Sequence, residues 1–243
     1  MPAGVLRLAI DGGFMWWRPS QAGETAGAAL FDPASHGAAA RQVGVGGRQA
    51  AWFIVAGGRE AVLRHYRRGG LVGRLIERSY LWTGEARTRP VAEFSVMDRL
   101  HAAGLPVPQP LAAAVWRAGL SYRGALVTAR VPGARALAER LGHGDDAALC
   151  QAAAGVIARM HAHGVWHADL NAYNILFDAD DAAWLIDFDR AREGQLDDAA
   201  RLGNLARLQR SLEKVAGAPG RAWGERIRTA YDAIWRQSRP FSN

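Results

Sequence analysis

The segment HADLNAYNIL, residues 167–176, sets one histidine, one aspartate and two asparagines within eight positions and then turns apolar. Asp169 and Asn174 are five apart, and Asp187 stands thirteen further on, inside WLIDFD. Phosphoryl transfer from ATP needs a carboxylate beside the attacking hydroxyl and hard oxygen ligands that hold magnesium against the phosphates. One Asp, one Asn and a second Asp meet that need. The competing reading is an Asx-rich turn whose side chains only satisfy local backbone groups.

These residues require elements that position them. Leu149, Ala152, Val156, Ile157 and Met160 recur at helical spacing between 146 and 163, and Gly164 ends that helix just before the polar loop. After the loop, ILF, a DADD turn and AAWLIDFD read as a hairpin over 175–189. Its antiparallel strands would bring Asn174 and Asp187 onto one metal. Two helices follow, striped by Leu202, Leu205, Leu208, Leu212 and Val215 and then by Trp223, Ile227, Tyr231 and Ile234.

Upstream, residues 1–40 read as short strands and loops, and AAWFIVAGGREAVLRHY (50–66) as a hairpin turning at Gly57 and Gly58. A helix is expected from Pro90 to Ala103, with Phe94, Met97 and His101 on one stripe. LAAAVWR and YRGALVTARV read as strands joined at Ala118 and Gly119. A β-rich part, residues 1–130, thus precedes a helical part, residues 131–243.

At 243 residues and 49% hydrophobic, the chain suits one large globular domain or two small lobes. A single cysteine, Cys150, excludes an intrachain disulfide framework, and no Cys/His cluster has zinc spacing, so a reducing compartment is expected. No 18 apolar residues run together, and VLRLAI, broken by Arg7, does not read as a signal segment. The net charge of +7 points to an anionic partner. Of the 30 basic residues 29 are arginine, nine of them between Arg59 and Arg99, and Lys214 is the only lysine. Nucleic acid is not expected, because no recognition motif or aromatic platform accompanies the arginines.

HADLNAYN resembles the catalytic loop H-R-D-L-x-x-x-N of protein kinases, and DFD stands where that superfamily has D-F-G. The resemblance implies an α+β, two-lobed protein-kinase-like fold with a mainly antiparallel β N-lobe and a reduced, mainly α C-lobe. It implies Asp169 as catalytic base, Asn174 and Asp187 as Mg2+ ligands, and His167 as a brace for the metal loop. VGVGGRQ then takes the place of a shortened glycine-rich loop, with Gly44, Gly46 and Gly47 over the ATP phosphates. AVLR (61–64) takes the place of V-A-I-K. Because Lys214 lies in the helical half, Arg64 is left to hold the phosphates by its planar, permanently charged fork, with Glu93 as its helix partner. The alternative leaves both as surface charges. TARVPG resembles the hinge that receives adenine through backbone groups.

Departures from that pattern redirect the acceptor. Asp189 replaces the glycine of D-F-G, no A-P-E follows, and about fifty residues follow the metal loop, so a small-molecule or lipid-sugar acceptor is expected. Asn171 stands where many protein kinases carry a lysine, so charge on the transferring phosphate must be met from elsewhere, an arginine being the candidate.

The strings VLRHYRRGGLVGRLIERSYLWTGEARTRP, EF, GLPVPQP, HADLNAYNIL, WLIDFDR and NLARLQRSLEK together resemble the lipopolysaccharide core kinase family, in particular the kinases of 3-deoxy-D-manno-octulosonic acid (Kdo), over roughly residues 30–215. That resemblance implies ATP-dependent phosphorylation of the Kdo 4-hydroxyl on a lipid A precursor, by a peripheral protein at the cytoplasmic face of the inner membrane. Arg67, Arg68, Arg74 and Arg78, interleaved with Gly and bulky apolar residues, suit an anionic sugar headgroup and an anionic membrane surface; the alternative is a solvated charged face. Tyr80 and Trp82 either pack on sugar rings or fill the lobe, and FMWW (14–17) is either an interfacial anchor or core.

Two rivals remain. Aminoglycoside and choline phosphotransferases share the loop but need an acidic acceptor pocket, for which Asp197 and Asp198 are the main candidates. A non-catalytic pseudokinase that binds anionic lipid is suggested by the arginine in place of lysine.

Overall fold

The computed structural model describes residues 1–22, 27–43, 51–66, 80–142 and 147–238. The chain divides into two compact units, Met1–Arg99 with Gln109–Arg130, and Leu100–Pro108 with Val131–Asn243. The first is β-rich and the second mainly helical, an α+β chain.

Among the described residues of the first unit, eight antiparallel strands form one sheet: β1 (Leu6–Ile10), β2 (Gly13–Trp17), β3 (Arg41–Val43), β4 (Ala51–Ala56), β5 (Arg59–His65), β6 (Tyr80–Leu81), β7 (Pro110–Ala118) and β8 (Ser121–Ala129). Their order is β1-β2-β7-β8-β5-β4-β3, with β6 on β8. Helix α1 (Pro19–Ala22) is a single turn, and α2 (Arg89–Ala102) is long.

Phe14, Met15, Trp16 and Trp17 of β2 are all buried, because both faces of the strand are covered. Met15 and Trp17 join Leu30, Phe31, Ile54, Leu63 and Val127, while Trp16 meets Phe94 of α2 edge-on at 6.2 Å. A continuous apolar run here is a doubly covered strand, so FMWW is core and not an interfacial anchor.

In β5 the period of two sends Ala61 and Leu63 into that core and Val62 and Arg64, followed by Tyr66, to the other face. The start of α2 lies directly over β8: a Cβ on Gly124 would stand 2.3 Å from Pro90 Cγ. The β7–β8 turn is Gly119–Leu120, one residue later than expected, since Gly119 is the residue with positive φ, 58°. Tyr80 and Trp82 fill the unit, with Tyr80 5.5 Å from Tyr122 and Trp82 edge-on to Phe14 and Tyr122 at 6.4 and 6.2 Å.

The second unit contains β9 (Arg135–Ala136), α3 (Leu137–Arg140), α4 (Ala147–Ala162), β10 (Val165–Trp166), β11 (Ile175–Phe177), β12 (Ala183–Leu185), β13 (Arg192–Glu193), α5 (Asp198–Ala216) and α6 (Ala218–Ser238). α6 packs on both α4 and α5, burying Ile157, Met160, Leu205, Leu208, Leu212, Trp223, Ile227 and Tyr231. Leu202 and Val215, expected in the α5 stripe, are exposed. The buried stripe of α5 runs instead through Arg201 and Asn204, polar groups that hydrophobic patterning does not count. No described helix is long and apolar enough to cross a membrane.

Candidate active site

The polar loop lies between β10 and β11, and its first residue braces two segments. Asp169 N donates to His167 Nδ1 at 3.1 Å, and His167 Nε2 stands 3.0 Å from the Ile186 carbonyl. Because Nδ1 accepts, the proton sits on Nε2 and the ring is neutral. Burial, the largest influence, pushes its pKa down against the opposing pull of the Ile186 carbonyl, Asp187 and Asp169. The ring packs on Phe188 at 5.0 Å. One buried imidazole therefore sets the Asp169 backbone relative to the Ile186–Asp187 step.

Asn174 closes the loop. Its Nδ2 donates to the Asp169 carbonyl at 2.9 Å, and its own carbonyl accepts from Ile186 N at 3.1 Å, extending the β11–β12 pairing of Ile175 with Leu185. Asp187 follows at once, with φ of 63°. Side chains rarely adopt that region, which costs on the order of 1–3 kcal/mol and clusters at functional positions.

The donor set fits a hard cation. Asn174 Nδ2 is committed to backbone, leaving Oδ1, which accepts no hydrogen bond from the described residues, as its free donor atom. With the Asp187 carboxylate this makes two protein oxygens. Among the described residues no group of three His, Cys, Asp or Glu could hold a metal alone. Two oxygens with the remainder from phosphates and water is the usual Mg2+ arrangement.

Asn171 and Asp169 behave differently. Asn171 Oδ1 accepts from Tyr173 N at 2.8 Å and Asn174 N at 3.2 Å, and its Nδ2 donates to the Asp169 carbonyl at 3.1 Å, so local capping is the work of Asn171. The Asp169 carboxylate caps nothing. It is 56% exposed and receives Arg207 Nη1 at 2.7 Å. Arg207 lies within NLARLQRSLEK, and the sequence signal for it was indirect: asparagine in place of the loop lysine calls for an arginine from elsewhere.

Helix α5 holds this loop from below. Asn204 Oδ1 accepts from His167 N at 3.1 Å, its Nδ2 donates to His167 O at 2.7 Å, and Ser211 Oγ accepts from Ala172 N at 3.1 Å. Asn204 Oδ1 also meets His161 Nε2 at 3.1 Å, His161 Nδ1 meets the Tyr231 hydroxyl at 2.9 Å, and Arg201 Nη1 donates to that hydroxyl at 2.9 Å. Burial drives the His161 pKa down to about 4, with the Asn204 hydrogen bond opposing and the charge of Arg201 adding. The network is therefore neutral at His161 near pH 7. Patterning could not reveal Asn204 or His161, because polar residues on a buried stripe carry no periodic signal.

In the first unit, Arg64 Nη2 donates to both carboxylate oxygens of Glu93, and the Tyr66 hydroxyl donates to the same carboxylate. Glu93 is 2% exposed, so the pair is not a surface contact. Gly44, Gly46 and Gly47, together with Arg67, Arg68, Arg74 and Arg78, lie outside the described residues. Asp197 caps α5 by accepting from Ala200 N at 2.7 Å, and Asp198 pairs with Arg201, so these acids hold helix structure.

A buried histidine that ties an aspartate loop to the step just before D-F-D, on an α+β frame, is a kinase-like arrangement. A model of the Lipopolysaccharide kinase (Kdo/WaaP) family matches residues 36–231, and this chain belongs to that family. It is 46% identical over 212 residues to the 3-deoxy-D-manno-octulosonic acid kinase of Stenotrophomonas maltophilia strain K279a, covering 86% of this chain and 85% of that protein. The protein of the same name from Xanthomonas axonopodis pv. citri strain 306 is 46% identical over 214 residues, covering 86% of each.

Proposed function

We propose that this chain transfers the γ-phosphoryl group of ATP to the 4-hydroxyl of Kdo carried on a lipid A precursor. The observation that carries the proposal is Asp169: its backbone is locked by His167, its carboxylate is left exposed, and Asn174 joins it to Ile186, the residue before Asp187. Similarity to proteins named Kdo kinases supports the acceptor.

Asp169 orients the acceptor hydroxyl and takes its proton late, as the new O–P bond forms and the bond to ADP breaks. In the loose transition state of such transfers, position matters as much as proton affinity. Asn174 Oδ1 and Asp187 are the residues that would hold Mg2+, which when bound neutralises charge on the β- and γ-phosphates. Arg64, oriented by Glu93, is the phosphate-holding cation that takes the lysine's place. Arg207 directs the Asp169 carboxylate and supplies the positive charge that Asn171 lacks. Peripheral work at the cytoplasmic face of the inner membrane is part of this reading, supported by the arginine-rich span from Arg59 to Arg99.

The aminoglycoside alternative is disfavoured, since Asp197 and Asp198 are engaged in helix capping and pairing. The deciding experiment is mass spectrometry of products after incubation with ATP, Mg2+ and Kdo-bearing lipid A precursor. A gain of one phosphate on the sugar is expected, and an unchanged acceptor ends the proposal.

A further inference from the structure

The geometry points to a second part of the same site: we infer that Arg210 and Lys214 of α5 bind the carboxylate of the acceptor sugar, in a cavity that opens beside Asp169. This inference rests on the acceptor being an acidic sugar, as proposed above, and says which residues of the chain recognise its charge.

The cavity measures about 730 Å³ and is lined by Asp169, Tyr173, Arg207, Arg210 and Lys214 among others. That volume lies within the range of small-molecule sites. Three cations face one carboxylate, so the cavity favours an anion even after Arg207 has been matched to Asp169. Arg210 and Lys214 are exposed and make no ion pair with the described residues.

Spacing supplies the rest. Positions 207, 210 and 214 are i, i+3 and i+7, and share one face of α5. Arg210 therefore stands about 4.5 Å along the axis from Arg207, at 1.5 Å per residue. In Kdo the carboxyl carbon is three bonds from carbon 4. A sugar whose 4-hydroxyl meets Asp169 thus has its carboxylate about one helical turn away, within reach of Arg210, with Lys214 behind it. Tyr173, 57% exposed at the cavity wall, presents an amphipathic ring suited to a sugar face. The loop and α5 are held in register by the Ala172 N to Ser211 Oγ bond, so this relation is built into the fold.

The test uses Arg210→Gln and Lys214→Gln with two acceptors: the Kdo-bearing lipid A precursor, and the same lipid with its Kdo carboxylate reduced to an alcohol. Each variant should raise the acceptor KM by about tenfold or more, the worth of one charge-assisted hydrogen bond, with the KM for ATP unmoved. On the reduced acceptor the variants and the parent should become equal, because the partner charge is gone. An acceptor KM unchanged in both variants overturns the inference. So does an equal loss on both acceptors, which would assign the two cations to lipid phosphate. If the parent phosphorylates neither lipid, the proposed function itself fails and takes this assignment with it; a parent active on the intact lipid, with indifferent variants, leaves the function standing and removes only the anion site.

Discussion

Arg207 of α5 donates to the carboxylate of Asp169 across 38 positions of sequence, Nη1 to Oδ1 at 2.7 Å. Both partners are about half exposed, at 47% and 56%. Such a pair contributes at most about 1 kcal/mol to stability, so its value lies in the site. Arg207→Ala should lower kcat about 10²- to 10³-fold, the scale of losing one preorganised charge contact, while the urea midpoint barely moves. Arg207→Lys should recover part of the rate, because it restores charge without the fork. Steady-state kinetics beside denaturation curves decide it, and a kcat within twofold of the parent for Arg207→Ala removes the residue from the mechanism.

Asp169→Asn and Asp187→Asn should each reduce turnover by about 10²–10⁴-fold, the range expected for a lost general base or metal ligand. The fold should persist in the first, since the Asp169 backbone contacts to His167 and Asn174 do not use its carboxylate. Near-normal turnover in both variants, read by transfer of radiolabelled phosphate from γ-labelled ATP to the Kdo-bearing lipid, would refute the assignment.

Arg64 and Glu93 form a partly buried pair with side-chain exposures of 15% and 1%. Arg64→Ala leaves a buried carboxylate without its guanidinium, which costs about 3–5 kcal/mol, and should raise the KM for ATP. Arg64→Lys should keep more of the stability than alanine does. Thermal denaturation with and without ATP measures both effects; an alanine variant as stable as the parent contradicts a buried Arg64–Glu93 pair.

His161 links pH to stability. Its pKa falls from 6.5 in the open chain to about 4 in the fold, mainly through burial. The unfolded chain therefore binds the extra proton first, and stability present above pH 6.5 is lost as pH falls toward 4. At 1.36 kcal/mol per unit the loss is on the order of 3 kcal/mol. Urea unfolding at a series of pH values should show this slope in the parent and a flatter one in His161→Gln. Identical slopes would place the titrating group elsewhere.

The polar loop, the hairpin behind it and the helices that flank them were legible in the sequence because local spacing and turn chemistry define them. His167, Asp169, Asn174 and Asp187 fall within twenty-one consecutive residues, and β11–β12 pairing follows from the DADD turn. Arg64 became a candidate only through the resemblance of AVLR to the kinase V-A-I-K, because the only lysine lies in α5. Whether it was a surface charge was not readable, because that depends on α2 covering one face of β5. FMWW could not be assigned either: an apolar run looks the same on a bilayer boundary and in a strand covered on both sides.

What the sequence by itself determined, then, was chemistry held in short range: which oxygens are available, at what spacing, and in which turn. Only the tertiary structure decided that Asn204 grips His167 from α5, that Arg207 meets Asp169, and that Arg210 and Lys214 share its cavity. Those relations join residues about forty positions apart through the packing of α5 beneath the loop. Helical periodicity states which face of α5 is shared; it cannot state which loop that face will meet.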